Sequence, residues 1–331
     1  MRRVTLALSL LAGLASAQQY IDPFGYAPGT LIPGYTEQRG NWIATGTTVQ
    51  SQLGATFQEL TFDTFADRDA CVETVAIYDT VTPGLMYTGP IVRHNGAGAA
   101  STYFMVKLQD NGVPRDGFDT YWVYYYNGAS HTFVAAGSNG TIAPPALRVR
   151  ARLQVIEEAP NVRVQIFLDT NLDGTWEISR EWLSLLGVGT AAGKIGVAGY
   201  QNAIADDLKY FNANLWLSGT PQVGMPVNLK GRATSGFGYL GACSLGHSGI
   251  PLGDGRVIPL DLDALFLLSL TTPVIFSNFT GVVDANGDFT MTLNTPAVPE
   301  LAGFTIWSSA ITFTPNGVIE IAPDVQITFV P

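Results

Sequence analysis

The chain is poor in cysteine, histidine and charge, and each shortage closes off a class of chemistry. Its 331 residues include only 2 cysteines, Cys71 and Cys243, far apart in the sequence. That excludes a disulfide-dense scaffold; the expectation is two buried thiols packing as small hydrophobes, with one long-range bridge as the alternative. The 3 histidines, His94, His131 and His247, include no two at metal-ligand spacing. Charged residues make up 13%, with 17 Lys and Arg against 27 Asp and Glu, for a net charge of −10. A nucleic-acid partner needs a basic footprint, so this balance excludes one, and an anionic membrane surface with it. No apolar run reaches the roughly 18 residues of a membrane-spanning helix. What the chain has in quantity is apolar side chains, 47% of the total. That is too many for disorder, so a large core is expected.

The N-terminus reads as an export signal. Arg2 and Arg3 give a positive start, Val4 to Leu14 an apolar run, and Ala15-Ser16-Ala17 a small-residue cleavage site. Residues 1–17 are therefore expected to be a signal peptide, with a secreted or cell-surface mature chain beginning at Gln18.

From Asn41 to Asn214 short alternating or wholly apolar segments are separated by Gly, Asn, Asp and Pro. Thr102-Tyr-Phe-Met-Val-Lys-Leu, Leu147-Arg-Val-Arg-Ala-Arg-Leu-Gln-Val and Val162-Arg-Val-Gln-Ile-Phe-Leu show the pattern. Alternation over four to eight residues marks a strand with one face in a core. Roughly a dozen such segments and no convincing helix predict an antiparallel two-sheet sandwich. Glu177 to Leu186 is ambiguous between a helical turn and a strand. Ser218-Gly-Thr-Pro221 breaks the pattern, and a second set of strands starts at Val227. The expected domains are thus 18–217 and a smaller β-sandwich, 218–331. Within the latter, Asp284-Ala-Asn-Gly-Asp288 reads as a hairpin turn.

The succession Gly40-Asn-Trp, Val72-Glu, Gly89-Pro-Ile-Val-Arg, Tyr103, Asn127-Gly, Asp169 to Asp173-Gly, Lys194-Ile-Gly and Asp206-Asp207 resembles the laminin-G-like, concanavalin-A-like jelly-roll superfamily. The resemblance spans roughly Phe24 to Leu217. It implies a jelly-roll sandwich, and a superfamily that contains lectin-like modules, adhesion domains and polysaccharide-cleaving enzymes, so it does not select a function. The C-terminal segment resembles a module of uncharacterised secreted bacterial proteins.

Three constellations carry potential chemistry. Tyr121-Trp-Val-Tyr-Tyr-Tyr126 puts Trp122, Tyr124 and Tyr126 on one strand face, and Tyr121, Val123 and Tyr125 on the other. Only one face can enter the core; the other either stacks on sugars or partner surfaces or is covered within the chain. Arg148, Arg150 and Arg152 share a face that Arg163 and Gln165 extend if the two strands pair. Such forks bind anionic glycans, unless the row is simply a solvated face balanced by acids. Asp169, Asn171, Asp173, Thr175 and Glu177, with Gly174 at the sixth position, match the first half of a calcium loop. The twelfth position is Arg180 rather than Glu, and the string also makes a good turn. Calcium is the one cofactor the sequence suggests.

Enzymatic signals are weak. Glycan hydrolysis needs paired carboxylates, and Glu177 and Glu181 on a strand would stand about 13 Å apart. Asp67 with Asp69 and Asp261 with Asp263 have closer spacing but read as loop charges. The lyases of the resembled superfamily use a tyrosine and a histidine on the concave sheet, which leaves a Tyr/His pair open. The expected function is a non-catalytic binding or adhesion module contacting glycan or another surface polymer. The alternatives are a polysaccharide-active hydrolase or lyase, and a structural envelope or matrix protein.

Overall fold

A computed structural model describes residues 204–331 throughout. Before them it describes 20–22, 35–39, 42–44, 48–51, 57–67, 69–78, 80, 87–96, 102–111, 116–128, 130–158, 160–184 and 192–200. The expected signal peptide, 1–17, lies outside the described residues. The described chain forms two compact units, 20–210 and 211–331.

Among the described residues, the regular elements of the first unit are all strands. They are β1 (Tyr20–Asp22), β2 (Tyr35–Arg39), β3 (Trp42–Ala44), β4 (Val49–Ser51), β5 (Phe57–Asp67), β6 (Ala70–Ile77), β7 (Tyr87–Asn95) and β8 (Thr102–Gln109). There follow β9 (Phe118–Asn127), β10 (His131–Phe133), β11 (Asn139–Ala146), β12 (Arg148–Glu158), β13 (Asn161–Asp169), β14 (Ile178–Ser184), β15 (Gly193–Tyr200) and β16 (Ile204–Phe211). Two antiparallel eight-stranded sheets result. The first runs β14-β13-β12-β6-β16-β4-β3 with β1 on β16, and the second β10-β9-β8-β7-β15-β5-β2 with β11 on β9. This is an antiparallel two-sheet β-sandwich, the architecture expected from the alternating segments. The ambiguous segment after Glu177 is β14, a strand.

The alternating residues explain the layering. Val72 and Ala76 of β6, Val149, Ala151, Leu153 and Val155 of β12, and Val164 and Ile166 of β13 pack against Val92, Phe104, Val106, Val123, Tyr125 and Val197 of the second sheet. Each fully buried Val, Leu, Ile or Phe among them contributes about 1.5–3 kcal/mol, and a one-residue register slip would turn this whole face outward. Cys71, on β6, is a buried thiol that forms no disulfide.

The second unit is a smaller sandwich. Its strands are β17 (Asn214–Ser218), β18 (Pro226–Arg232), β19 (Gly238–Ser244), β20 (Ile250–Pro251), β21 (Val257–Ile258), β22 (Phe276–Ser277), β23 (Thr280–Val282), β24 (Asp288–Asn294), β25 (Thr305–Thr314), β26 (Gly317–Ile321) and β27 (Val325–Thr328). One sheet runs β17-β18-β24-β22; the other runs β23-β19-β25-β26 with β27 on β25. The expected boundary after Leu217 differs from the division at Phe211 by one strand. β17 pairs with β18, so Ser218 to Pro221 begins a connection inside one sheet.

One short helix adds to the expected strands, and one expectation needs correction. An α-helix, α1 (Ala264–Thr271), is present, capped by Asp263, whose side chain accepts from the Phe266 amide. Its Ala-Leu-Phe-Leu-Leu-Ser-Leu string is apolar all round and short, which hid the helical period. Asp284 to Asp288 is not a two-strand hairpin: β23 pairs with β19 while β24 pairs with β18, so the turn carries the chain between sheets. Asp284 Oδ1 accepts from the Asn286 and Asp288 amides, which shapes that turn.

Candidate functional site: an aromatic strip across one sheet

The strand β9 sorts its rings by parity. Tyr121, Val123 and Tyr125 enter the inter-sheet core. Trp122, Tyr124 and Tyr126 face the other way, where the pairing register aligns them with side chains from neighbouring strands. Lys107 lies opposite Trp122 and Tyr103 opposite Tyr126 on β8, and Phe133 lies opposite Tyr124 and His131 opposite Tyr126 on β10.

Tyr124 and Tyr126 are nonetheless buried, as are Tyr121 and Tyr125, and Trp122 alone of the five predicted ring residues is half-buried. His131 packs on Tyr124 at 5.2 Å and on Tyr126 at 4.8 Å, so β10 covers part of the face. Burial pushes the Tyr124 hydroxyl up to about 12. What stays accessible is a strip along one end of the strands. Tyr200 and Tyr87 stack at 5.3 Å and 10°. The Lys107 ammonium lies 4.2 Å from the Tyr87 ring centre and 5.5 Å from that of Trp122. Trp122 stacks on Phe133 at 5.6 Å and 21°.

Four rings and one ammonium thus cross β15, β7, β8, β9 and β10, about 19 Å at the usual strand spacing. Phe133, 41% exposed, ends the strip at a groove of about 790 Å³ that also touches His131, Asn139 and Leu183. Tyr87, Lys107, Phe133, His131 and Tyr200 were not singled out as binding residues from the sequence. Lys107 was findable, because it shares the parity of Tyr103 within the β8 string. The others sit on separate strands, and only the pairing brings them together.

The arginine row lies on the outer face of the first sheet. β12 pairs with β13 and with β6, which sets Arg152 opposite Glu73 and Arg150 opposite Asp169. Arg152 donates twice to Glu73 Oε2, at 3.1 and 2.8 Å, and its guanidinium lies 4.5 Å from the Trp176 ring centre. Arg150 reaches Glu73 and Asp169, and Arg148 reaches Asp206. Arg163 is held by Glu158 and Glu181, and Gln165 donates to Glu181. The row is laced to acids of its own chain, an arrangement unlike an open anion receptor.

Among the carboxylate pairs weighed for hydrolysis, Asp69 accepts from the Glu157 amide, Asp261 from the Ser248 amide, and Asp263 caps α1. The fold does bring a tyrosine and a histidine together: Tyr103 stacks on His94 at 5.4 Å, and His94 Nε2 lies 2.9 Å from Glu59 Oε2. All three are sealed from solvent. Burial, with Glu59 adding to it, pushes the Tyr103 hydroxyl far above its ordinary value, the reverse of what a general base needs. His247 stacks on Trp307 at 4.7 Å with Nδ1 3.2 Å from Asp324.

The calcium-like loop joins β13 to β14. One oxygen from each of Asp169, Asp173 and Glu177 comes within 4.8 Å of the others. Asn171 instead exchanges hydrogen bonds with Asp173, and the Thr175 amide donates to Asp173 Oδ1. Among the described residues no helix is long and apolar enough to cross a membrane.

The first unit is thus an antiparallel β-sandwich carrying a strip of stacked rings on one sheet. No family model matches the sequence, and no curated protein matches it. Solved structures do overlay on it. A carbohydrate-binding module from Bacillus subtilis is 15% identical, with 53% of this chain and 91% of that one covered at a TM-score of 0.36. Arcelin-5, a lectin-like defence protein from Phaseolus vulgaris, is 8% identical over 59% and 98%, at 0.35. A Bacillus subtilis protein of unknown function with a galectin-like fold is 14% identical over 58% and 94%, at 0.34.

Proposed function

We propose that the protein is a secreted, non-catalytic binding or adhesion module whose first unit holds a glycan, or a chemically similar surface polymer, along the Tyr200, Tyr87, Trp122 and Phe133 strip. The observation that carries this reading is the continuity of the strip: half-buried or exposed rings from four strands, stacked in two pairs that Lys107 joins, ending at a groove. Sugar rings offer apolar C–H faces that stack on aromatic faces while hydroxyls seek donors and acceptors. The Tyr hydroxyls and the Lys107 ammonium supply those at the strip's centre. Rigid rings cost little conformational entropy to hold in place, so a shallow platform suits an extended polymer better than a small molecule. The net charge of −10, unfavourable for a nucleic-acid partner, points the same way.

The test is a titration of the purified chain with a panel of soluble neutral and acidic polysaccharides, following tryptophan fluorescence and co-sedimentation. Saturable binding that Trp122→Ala removes supports the reading; binding to none of the panel, or binding unaffected by Trp122→Ala and Tyr87→Ala together, overturns it. A parallel assay for reducing ends or unsaturated uronates is expected to stay at background. Export through the 1–17 signal is part of the proposal, and secreted material is expected to begin at Gln18 on N-terminal sequencing.

A further inference from the structure

Asp169 closes β13, and its side chain is fully buried. Oδ2 accepts from the Gly174 amide at 3.0 Å and lies 3.5 Å from Arg150 Nη1. Arg150 is itself shared, because its Nε stands 3.7 Å from Glu73. Oδ1 has no hydrogen-bond partner. A buried carboxylate oxygen left unpaired is rare in folded proteins, because nothing replaces the water it gave up.

The surroundings add charge of the same sign. Asp173 and Glu177 bring oxygens within 4.8 Å of the Asp169 carboxylate. Glu177 is drawn back over the loop by the Thr170 amide and hydroxyl, which donate to its Oε2 at 2.7 and 3.2 Å. Two carboxylates thus gather beside a third that is sealed from solvent, held on one side by Arg150 and loop amides and carrying one oxygen without a hydrogen bond.

We infer that this loop binds a calcium ion, ligated by Asp169 Oδ1 with the carboxylates of Asp173 and Glu177. All donors are oxygens, the choice of a hard cation. Oxygens that all lie within 4.8 Å of one another can share an ion with bonds of about 2.3–2.6 Å, and calcium sheds its waters to protein carboxylates more readily than magnesium does. Glu177, at the ninth position of the loop, stands in for the missing carboxylate at the twelfth. Arg180, which occupies the twelfth, points its Nη1 at the Ser179 carbonyl. With three protein carboxylates and the rest of the shell left to water, the affinity belongs to the weak range of extracellular modules, about 10⁻⁴ to 10⁻³ M.

Trp176 offers a reporter beside the site. Its ring packs 5.9 Å from Phe167 and under Arg152, so ordering of the adjacent Glu177 alters its surroundings. The experiment titrates the full chain, stripped with EDTA, with calcium to about 10 mM, following tryptophan fluorescence and the melting temperature. Magnesium is titrated alongside. The expected result is a saturable calcium response with a midpoint near or below about 1 mM, a raised melting temperature, and a much weaker response to magnesium. Asp173→Asn and Glu177→Gln, which keep shape and leave the buried Asp169 in place, are each expected to shift the midpoint at least about tenfold. Three results overturn the inference: no calcium response, an equal response to magnesium, or unchanged affinity in both variants, which would put the ion elsewhere.

Discussion

The Lys107 ammonium stands 4.2 Å from the ring centre of Tyr87, and burial holds its pKa down to about 8. Cation–π attraction favours the charged form and desolvation opposes it; the downward shift shows that desolvation wins.

Lys107 therefore makes stability depend on pH in a defined window. The unfolded lysine titrates near 10.5 and the folded one near 8, so between these values the unfolded chain binds more protons and stability rises with pH. The favourable contribution is complete above 10.5 and lost as pH falls through 8. Other groups titrate in this range, so the readout is the difference between Lys107→Met and the parent chain in urea denaturation. The variant's advantage is expected to be largest below pH 8 and to vanish above 10.5.

Removing the indole of Trp122 interrupts the strip where Lys107 and Phe133 meet. Trp122→Ala is expected to weaken polysaccharide binding about tenfold to a hundredfold, since central aromatic anchors commonly carry about 2 kcal/mol or more. Trp122→Phe should retain most of it. Affinity gels run with both variants check this, with melting curves to confirm folding.

Glu73 is the acid on which Arg152, Arg150 and Lys209 converge. Arg152 is 2% exposed, so Glu73→Gln leaves a buried cation without its counter-charge. A loss of about 3–5 kcal/mol is expected. Lys209→Met, at the rim of the same network, should cost less than about 1 kcal/mol. Equilibrium urea unfolding of the two variants distinguishes a buried network from a decorative one.

Gly231 lies directly across from Phe289 in the second unit, and the ring folds over it. Any Cβ on Gly231 would be driven into that ring. Gly231→Val is expected to destabilise by about 1–3 kcal/mol, the usual range for an overfilled core. Adding Phe289→Ala should recover part of the clash, which a double-mutant cycle measures.

Cys243 is fully enclosed, and burial pushes its thiol up to about 12. At pH 8 almost no thiolate exists there. Ellman's reagent is expected to leave it unmodified in the native protein and to react once denaturant opens the unit. Rapid native labelling of Cys243 would contradict this burial.

Alternation by itself specified which residues of each strand face the core. Val149, Ala151, Leu153 and Val155 against Arg148, Arg150 and Arg152 is a local pattern with a local cause, the two-residue period of an extended backbone. The same logic sorted Trp122, Tyr124 and Tyr126 from Tyr121 and Tyr125. The oxygen spacing of Asp169, Asp173 and Glu177 was legible for a similar reason, because their proximity comes from one turn. Helix α1 was not legible, since Ala264 to Thr271 is apolar on every side and its period leaves no contrast.

Tertiary structure alone decided which strands became neighbours. Nothing near Tyr87 in the sequence points to Tyr200 or Trp122; Tyr200 stacks on it because β15 pairs with β7, and Lys107 of β8 links it to Trp122 of β9. The same pairing joined Arg152 to Glu73 and so turned an apparent receptor row into an internal ion network. Side-chain period is a property of neighbouring residues and can be read along the chain. Strand order depends on contacts between residues far apart in sequence, and those are fixed only when the two sheets close over a common core.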